Sequence, residues 1–412
     1  MNRPGCWIGF GTMSAPWNPD QGNFSPTELA AHWAGEEGLV FFDTSGNVPA
    51  AAANSVSLIA VRPIKVLSGS IHQEEDREKL RKADGHLCGW VDYEGGYVFG
   101  MYPEVTIFDH LHGTWAGPHL KTKDRPVISG DVRISGLRPM TTRREFLSAV
   151  ERAKEFIAAG DIYQVNLSQA FEAEISGGSL FPLYAALREL SPAPMAAWLA
   201  LDGKEVLCSS PELFLSIRGK RIETRPIKGT RPRFADEEQD RAAARELQAS
   251  AKERAELVMI TDLLRNDLGQ VCEYGSIAVE AALELETLAQ VHHLVSTVAG
   301  TMRDDVDAID ALAACFPGGS ITGAPKKRAM EIIHELEGRP RGMYCGAIGW
   351  IGKNGDATFN IAIRTLVREG NRLAYQVGAG IVADSEAEME YEETLHKAAG
   401  IRLALERFGT RV

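Results

Sequence analysis

Two pairs of glutamates are spaced so that the members of each pair share one face of a helix. Glu253 and Glu256 lie three residues apart, and Glu390 and Glu393 repeat this spacing near the end of the chain, with Lys397 one turn further on. Carboxylate oxygens are the ligands that a hard divalent cation such as Mg²⁺ prefers. Glutamates on a helix face are more often simply solvated, so the spacing alone leaves both interpretations open.

Two glycine-rich segments match nucleotide-binding patterns and fail on their context. Gly378 opens a G-x-G-x-x-A match, but the helix predicted after it is rich in Glu, which would repel a pyrophosphate. Gly318 opens a segment with P-loop spacing, but Ala324 stands where the phosphate-binding Lys is required. The second segment still offers backbone N–H groups to an anion such as a carboxylate.

Composition limits the kinds of partner that this chain can have. The 412 residues carry 44 Lys and Arg against 56 Asp and Glu, a formal net charge of −12, which does not favour nucleic acid or an anionic membrane surface. With 44% apolar and 24% charged residues the chain is typical of a folded globular protein. Neither a long apolar span nor a C-x-x-C pair is present, so we expect a reduced, cytoplasmic protein without a membrane segment.

Strands and helices must position these groups, and the sequence patterns of both kinds of element predict an α+β fold. The first 140 residues read as short strands with Gly-rich turns, and residues 121–139 are the best candidate for a linker. We therefore divide the chain into an N-terminal lobe at residues 1–140, which adds strands to a shared sandwich, and a catalytic region at residues 141–412. In the second part, helices are separated by two or three strands, which favours α+β over a doubly wound sheet.

Capping residues predict where four helices begin. Thr142 with Glu145 and Ser250 with Glu253 open two of them, which end near Gly160 and Gly269. A third begins at Pro325 and ends before Gly338. A fourth is predicted from Ser385 with Glu388 to about Arg407. Strands are expected at residues 163–171, 344–351, 357–367 and 372–377.

Six ordered motifs together resemble the chorismate-utilising enzymes, a family that includes anthranilate, aminodeoxychorismate, isochorismate and salicylate synthases. The motifs are Ser210-Pro211-Glu212-Leu213-Phe214, Pro226-Ile227-Lys228-Gly229-Thr230, Lys252-Glu253-Arg254-Ala255-Glu256, His293-Leu294-Val295-Ser296, the segment 318–326 and the segment 378–394. The resemblance is strong over about residues 140–407 and loose before them. It implies a four-layer α/β/β/α fold with two orthogonally packed sheets.

The resemblance also implies how chorismate, a dianion, would be held. Glu256 and Glu393 look like the Mg²⁺ ligands, with Glu253 and Glu390 nearby through water. The substrate-binding positions that match the family are Arg364, Tyr344, Ser320, Thr230, His293, Gln164, Gly378 and Gly380. An Arg fork suits a carboxylate in geometry. Arg364 and Tyr344 are expected at the enolpyruvyl carboxylate. His293, with which the adjacent His292 could be confused, is expected at the ring.

Three positions assign roles in the reaction and select a branch of the family. Glu212 matches the general acid that protonates the leaving C4 hydroxyl. Relatives that add water at C2 carry a Lys base where this chain has Gln164, so isochorismate and salicylate synthases are disfavoured. Aminodeoxychorismate synthases typically carry Lys at the position of Lys228, where anthranilate synthases usually carry Ala. A buried neutral Lys is a nucleophile, and in that branch it adds at C2 before ammonia attacks C4.

The resemblance thus favours amination of chorismate to 4-amino-4-deoxychorismate, on the route to 4-aminobenzoate and folate. No amidotransferase region is expected in the chain, so ammonia is expected from a separate glutamine amidotransferase. The first alternative is formation of anthranilate with loss of pyruvate. Two further interpretations remain open. Lys228 could be a cation that only balances the charge of the acidic helices, or the whole chain could be a non-catalytic protein of the chorismate fold that only binds a ligand or partner.

Overall fold

A computed structural model describes residues 24–45, 56–118, 120, 132–288 and 291–409 of the chain. Within these residues 21 strands form two antiparallel sheets, one of eleven strands and one of ten. Strands from both ends of the sequence are interleaved in each sheet.

The eleven-stranded sheet, called the first sheet below, contains the last long strand of the chain and most strands that follow a helix. In spatial order its strands are Gly323–Ala324 (β17), Gln164–Ser176 (β9), Arg372–Ile381 (β21), Thr365–Glu369 (β20), Lys204–Ser210 (β11), Met195–Leu201 (β10), Leu39–Asp43 (β1), Val56–Ala60 (β2), Thr106–Asp109 (β6) and Thr114–Ala116 (β7), with Arg133–Pro139 (β8) also paired to β9.

The ten-stranded sheet, called the second sheet, carries the strand of Lys228 at one edge. In spatial order its strands are Ile227–Pro232 (β14), Val291–Thr301 (β16), Arg221–Arg225 (β13), Leu213–Arg218 (β12), Ala357–Ile361 (β19), Ala347–Ile351 (β18), His86–Val91 (β4), Gly96–Tyr102 (β5) and Lys65–Ser70 (β3), with Ala278–Thr287 (β15) also paired to β16.

Helices cover the outer faces of the two sheets. Among the described residues they are Pro26–Ala31 (α1), Glu74–Arg81 (α2), Arg143–Ala158 (α3), Phe181–Leu190 (α4), Glu237–Ala249 (α5), Ala251–Gly269 (α6), Ala308–Cys315 (α7), Lys326–Glu337 (α8), Ala387–Lys397 (α9) and Ala399–Glu406 (α10), with a 3₁₀ turn at Gly319–Ile321. None of the described helices is both long enough and apolar enough to cross a bilayer.

Apolar side chains pack the four layers together. Phe42, Trp90, Leu199 and Trp350 belong to one cluster between the inner faces of the two sheets. A second cluster joins α3, α8 and α9 to β9 and β21, and a third joins α6 and α7 to the second sheet. The α+β class and the α/β/β/α layering predicted from the sequence are confirmed.

Strand periodicity also decides which face of β9 and β21 meets the second sheet. Val165, Leu167 and Ala379 pack against the helices. Successive side chains of a strand point to opposite faces, so residues 164, 166, 378 and 380 face the other way. The site described below therefore lies where these two strands approach β14, beside α6 and α9.

Local capping signals succeeded where the cap is a short-range hydrogen bond. The Thr142 and Ser250 side chains accept from the N–H groups of Glu145 and Glu253, and α3 and α6 begin directly after them. Pro325, predicted in the first turn of α8, is instead its N-cap residue.

Ser385 does not cap the last helix, contrary to the prediction. Its hydroxyl instead donates to the Glu390 carboxylate at 2.6 Å, and the helix begins one residue later without a side-chain cap. The predicted single helix is also two helices, α9 and α10, which meet at Ala398.

The predicted linker is partly a strand. Residues 121–131 lie outside the described residues, whereas Arg133–Pro139 pairs with β9 as β8. The predicted strand at residues 357–367 is two strands, because Arg364 between them has φ +51°. The division of the chain at residue 140 stays a prediction.

Candidate active site

Glu212 occupies the buried turn between β11 and β12. Its side chain lies in the interior, with the residue only 6% exposed. Burial raises the pKa of the Glu212 carboxyl to about 7, although a hydrogen bond from the Ser320 hydroxyl and the charges of Lys228 and Lys397 act in the opposite direction. A carboxyl with this pKa is protonated in about half of the molecules at neutral pH and can act as a general acid.

Lys228 extends its amine over a glycine of the facing sheet. Its side chain is 14% exposed, and Nζ lies 3.6 Å from a carboxylate oxygen of Glu256. A Cβ atom placed on Gly380 would lie 3.4 Å from this Nζ and 2.5 Å from Nε2 of Gln164. Gly380 thus leaves the room in which the amine and the Gln164 carboxamide meet.

Arg364 is a cation without an anion. No carboxylate or hydrogen-bond acceptor of the described residues pairs with its guanidinium, and burial alone lowers the pKa of Arg364. Its left-handed backbone conformation, φ +51°, is costly for a residue other than glycine, and the Ser209 N–H holds it by donating to the Arg364 carbonyl at 3.1 Å. A half-buried guanidinium without a partner carboxylate is stabilised when an anion arrives, so it is suited to bind a carboxylate.

Tyr344 and Gly378 form a second close approach. A Cβ on Gly378 would lie 2.6 Å from the Tyr344 hydroxyl and 2.8 Å from Oδ1 of Asn166. Lys397 adds a cation here, because its Nζ donates to the Gly378 carbonyl at 3.1 Å. Lys397 and Asn166 were not among the predicted site residues, although the i, i+4 spacing of Lys397 from Glu393 was a usable signal.

His293, rather than His292, belongs to the site. Nδ1 of His293 lies 3.3 Å from the Gly229 carbonyl and 3.0 Å from the Thr230 hydroxyl. Because a carbonyl only accepts, Nδ1 carries the hydrogen and the buried Nε2, which has no partner in the described structure, is an acceptor. Burial, and next the charge of Arg364, lower the pKa of His293 to about 4, so the ring is neutral.

His292 is held in a structural network instead. Its Nε2 lies 3.0 Å from the Asp240 carboxylate of α5, and its Nδ1 lies 3.0 Å from the Thr287 hydroxyl. The family resemblance predicted His293 rather than His292. The two adjacent side chains face opposite sides of β16, because side chains alternate along a strand.

Ser320 is presented by a turn that a buried ion pair holds in place. The Ser320 hydroxyl lies beside the Glu212 carboxyl and lowers its pKa. At the end of the same segment, Nζ of Lys326 lies 2.7 Å from both Asp267 carboxylate oxygens and donates to the Cys315 carbonyl. Lys326 therefore fastens the turn to α6 and α7, and the segment is not a phosphate-binding loop.

The four predicted metal-binding glutamates lie near one another, each beside a cation. Glu393 is 2.7 Å from Lys397, and Glu390 is 3.7 Å from Lys252. Glu253 is 3.8 Å from Arg231, and Glu256 is 3.6 Å from Lys228. Across the part of the chain that the structure describes, no three His, Cys, Asp or Glu side chains are gathered closely enough to hold a metal ion.

The glutamates nevertheless repel one another, which a cation would relieve. Burial, and next the charge of Glu256, raise the pKa of Glu253. Burial likewise raises the pKa of Glu390, with a contribution from Glu393. Three of the four ion pairs are too long for a hydrogen bond, so these carboxylates keep free oxygen atoms. As a set of hard oxygen donors they fit Mg²⁺ in chemistry.

The chain is similar to known proteins in both sequence and fold. Residues 40–402 match the model of a family described as chorismate binding enzyme. The chain is 42% identical to aminodeoxychorismate synthase component 1 of Bacillus subtilis over 75% of this chain and 70% of that protein. It is 46% identical to an anthranilate synthase component 1 of Haloarcula marismortui over 98% and 86%. The crystal structure of anthranilate synthase component I from Streptococcus pneumoniae superposes with a TM-score of 0.76 at 26% identity, covering 95% of this chain and all of that one.

Proposed function

The chain belongs to the family of chorismate binding enzymes, and we propose that it is component I of an aminodeoxychorismate synthase, which aminates chorismate at C4. The observation that carries this proposal is the amine of Lys228, placed over Gly380 beside Gln164 and within reach of the charge of Glu212. A lysine in this position can act as a nucleophile when it is neutral.

The first half of the proposed reaction makes a bond to the enzyme. Arg364 and Tyr344 hold the enolpyruvyl carboxylate, and His293 accepts a hydrogen bond through Nε2. The neutral Lys228 amine forms a bond to C2, both ring double bonds shift, and the C4–O bond breaks. Glu212 gives its proton to the departing hydroxyl, so that water leaves and the Glu212 carboxylate remains.

The second half releases the product and restores the enzyme. Ammonia forms a bond to C4, both ring double bonds shift back, and the bond between C2 and Nζ of Lys228 breaks. The Glu212 carboxylate takes the proton that the new amine loses. Chorismate and ammonia are thereby converted to 4-amino-4-deoxychorismate and water.

Magnesium belongs to the same proposal. Glu256 and Glu393 would hold the ion, with Glu253 and Glu390 nearby through water. When bound, Mg²⁺ supplies positive charge that holds the ring carboxylate of chorismate against the surrounding glutamates.

The source of ammonia is proposed to be a separate glutamine amidotransferase. The proteins of Bacillus subtilis and Haloarcula marismortui that resemble this chain are both called component 1. We place the complex in the cytoplasm, without nucleic acid or membrane partners, and with residues 1–140 as a lobe of the same sandwich.

A single product analysis tests the proposal. The purified chain is incubated with chorismate, Mg²⁺ and ammonium, and the products are identified by mass. We expect an aminated product that retains the enolpyruvyl group. Anthranilate together with pyruvate would overturn it, and binding of chorismate without any product would indicate a non-catalytic protein.

Anthranilate synthase component I is the second candidate. The 46% identity to the Haloarcula marismortui protein, which extends over 98% of this chain, favours it. The two candidates share the chorismate site and differ in pyruvate elimination, so released pyruvate separates them directly.

A further inference from the structure

Arg341 lies between α8 and β18 and is buried together with a carboxylate. Its guanidinium Nη2 lies 2.7 Å from Oε1 of Glu337, and the two side chains are 1% and 2% exposed. Burial acts against the charge of Arg341, but the Glu337 carboxylate more than offsets it and holds the pKa of Arg341 well above its ordinary value. The Arg341 guanidinium is therefore a charge within the protein interior, which is costly unless the geometry of its contacts is good.

All three nitrogens of the guanidinium donate, and besides Glu337 their acceptors belong to the elements that carry the site. Nη1 donates to the Ile321 carbonyl at 3.1 Å, in the turn that presents Ser320. Nη2 donates to the Asn166 carbonyl at 2.7 Å, in the strand that presents Gln164.

The partner carboxylate and the Arg341 backbone extend these contacts. Oε1 of Glu337 accepts from the Ser168 N–H at 2.8 Å and from its hydroxyl at 2.9 Å. The Arg341 carbonyl accepts from Nε2 of Gln376 at 2.8 Å, two residues before Gly378. One buried pair thus contacts β9, β21 and the Ser320 turn.

Arg341 also lies against Tyr344 and against the turn between β4 and β5. The centre of its guanidinium is 5.7 Å from the Tyr344 ring and 4.7 Å from the Tyr93 ring. The Glu94 carboxylate, in the same turn as Tyr93, accepts from the N–H groups of Arg341 at 2.8 Å and Gly342 at 3.0 Å. The Tyr93 N–H donates to the Gly342 carbonyl at 2.7 Å.

We propose that Arg341 is a positioning residue for chorismate, and that Glu94 holds the segment 341–344 from the N-terminal part of the chain. Arg341 does not touch the reacting atoms. It fixes the distance between the Tyr344 hydroxyl and Gly378, and it fixes the turn that directs Ser320 at Glu212. This role rests on the proposed function, since it requires chorismate to bind at these residues.

Two variants weaken the arrangement by different amounts. Arg341→Lys keeps the charge but cannot donate to Ile321, Asn166 and Glu337 together, because an ammonium lacks the planar fork. Glu94→Gln keeps the size of an exposed side chain and removes the charge that accepts from the backbone. Glu104→Gln, an exposed glutamate beyond the end of β5 with no ion pair in the described structure, is the matched control.

The measurements are chorismate affinity, kcat and KM, and the pH profile of kcat. We expect Glu94→Gln to raise the dissociation constant and KM for chorismate about 3- to 10-fold while kcat stays within about twofold. In Arg341→Lys we expect kcat to fall as well. The alkaline limb of the Arg341→Lys profile should move to higher pH. Ser320 would no longer lower the pKa of Glu212, so that burial, which raises this pKa, would be opposed only by the charges of Lys228 and Lys397. Glu104→Gln should match the parent protein.

Unchanged affinity, KM and pH profile in both folded variants would overturn the proposal. If Arg341→Lys fails to fold, the affinity of Glu94→Gln decides alone, because that side chain is exposed. The affinity measurement needs only chorismate and Mg²⁺, so anthranilate as the product would refute the proposed activity and leave this test standing.

Discussion

Replacement of Glu212 by Gln should inactivate the protein and stabilise it above neutral pH. The carboxyl has an ordinary pKa of 4.5, which burial raises to about 7 in the folded chain. Because the folded value lies above the unfolded one, the stabilising contribution is complete below about pH 4.5 and is lost as the pH rises through about 7. A rise of this size corresponds to about 3 kcal/mol of stability lost between acid and mildly alkaline solution.

Gln has nearly the same shape and no charge to bury. We therefore expect Glu212→Gln to resist urea better than the parent protein at pH 8.5, by up to about 3 kcal/mol, and to differ little at pH 5. Turnover should fall about 100- to 10,000-fold, because the variant cannot protonate the leaving hydroxyl. A mutation that removes activity and adds stability is expected where a side chain serves function at the expense of the fold.

The assay compares urea midpoints of parent, Glu212→Gln and the exposed control Glu104→Gln at pH 5, 7 and 8.5. The control should follow the parent at every pH. Parallel stability profiles for parent and Glu212→Gln between pH 5 and 8.5 would refute the assignment of a raised pKa to this carboxyl. Retained turnover in the variant would refute its role as the acid.

Three further outcomes follow from the site. Incubation with chorismate and Mg²⁺ but no ammonia should add the mass of chorismate less water to the chain. Lys228→Ala should lose this adduct, whereas the exposed control Lys327→Ala should keep it. Full C4 amination by Lys228→Arg, with no adduct on the parent protein, would exclude the covalent route. Glu256→Gln should abolish Mg²⁺-dependent turnover in a Mg²⁺ titration while the circular dichroism spectrum is retained; unchanged activity at limiting Mg²⁺ would remove Glu256 from the metal site. Gly380→Ala should lower kcat at least about 10-fold, because the added Cβ would lie 2.5 Å from Nε2 of Gln164, and a parent-like kcat would show that this space is not used.

Sequence motifs predicted most of the candidate site because they record residue types that the chemistry requires. The acidic pairs of α6 and α9 and Lys228 lie in ordered motifs, and the family resemblance that those motifs carry also predicted Arg364. The helix starts at Thr142 and Ser250 were equally accessible, because a cap is a contact between residues three apart.

What the sequence could not provide depends on contacts between distant segments. Ser385 has the pattern of a cap, yet its hydroxyl is taken by Glu390. No sequence pattern distinguishes Arg341 from the other arginines. Only the folded chain shows that its hydrogen-bond acceptors are the carbonyl groups of Ile321 and Asn166, the second of which is 175 residues away in the sequence. The lack of an acceptor for the Arg364 guanidinium among the described residues likewise depends on all the segments that surround this side chain.

The acid and the nucleophile of the proposed reaction are coupled through their charges. The positive charge of Lys228, together with that of Lys397, lowers the pKa of Glu212 against the effect of burial. Glu212 must keep its proton until the C4 hydroxyl leaves, so the two cations act against the acid and burial acts for it. Burial is the larger effect, since the pKa of Glu212 rises from 4.5 to about 7. An exposed glutamate beside the same two cations would be a carboxylate at neutral pH and could not protonate the leaving hydroxyl.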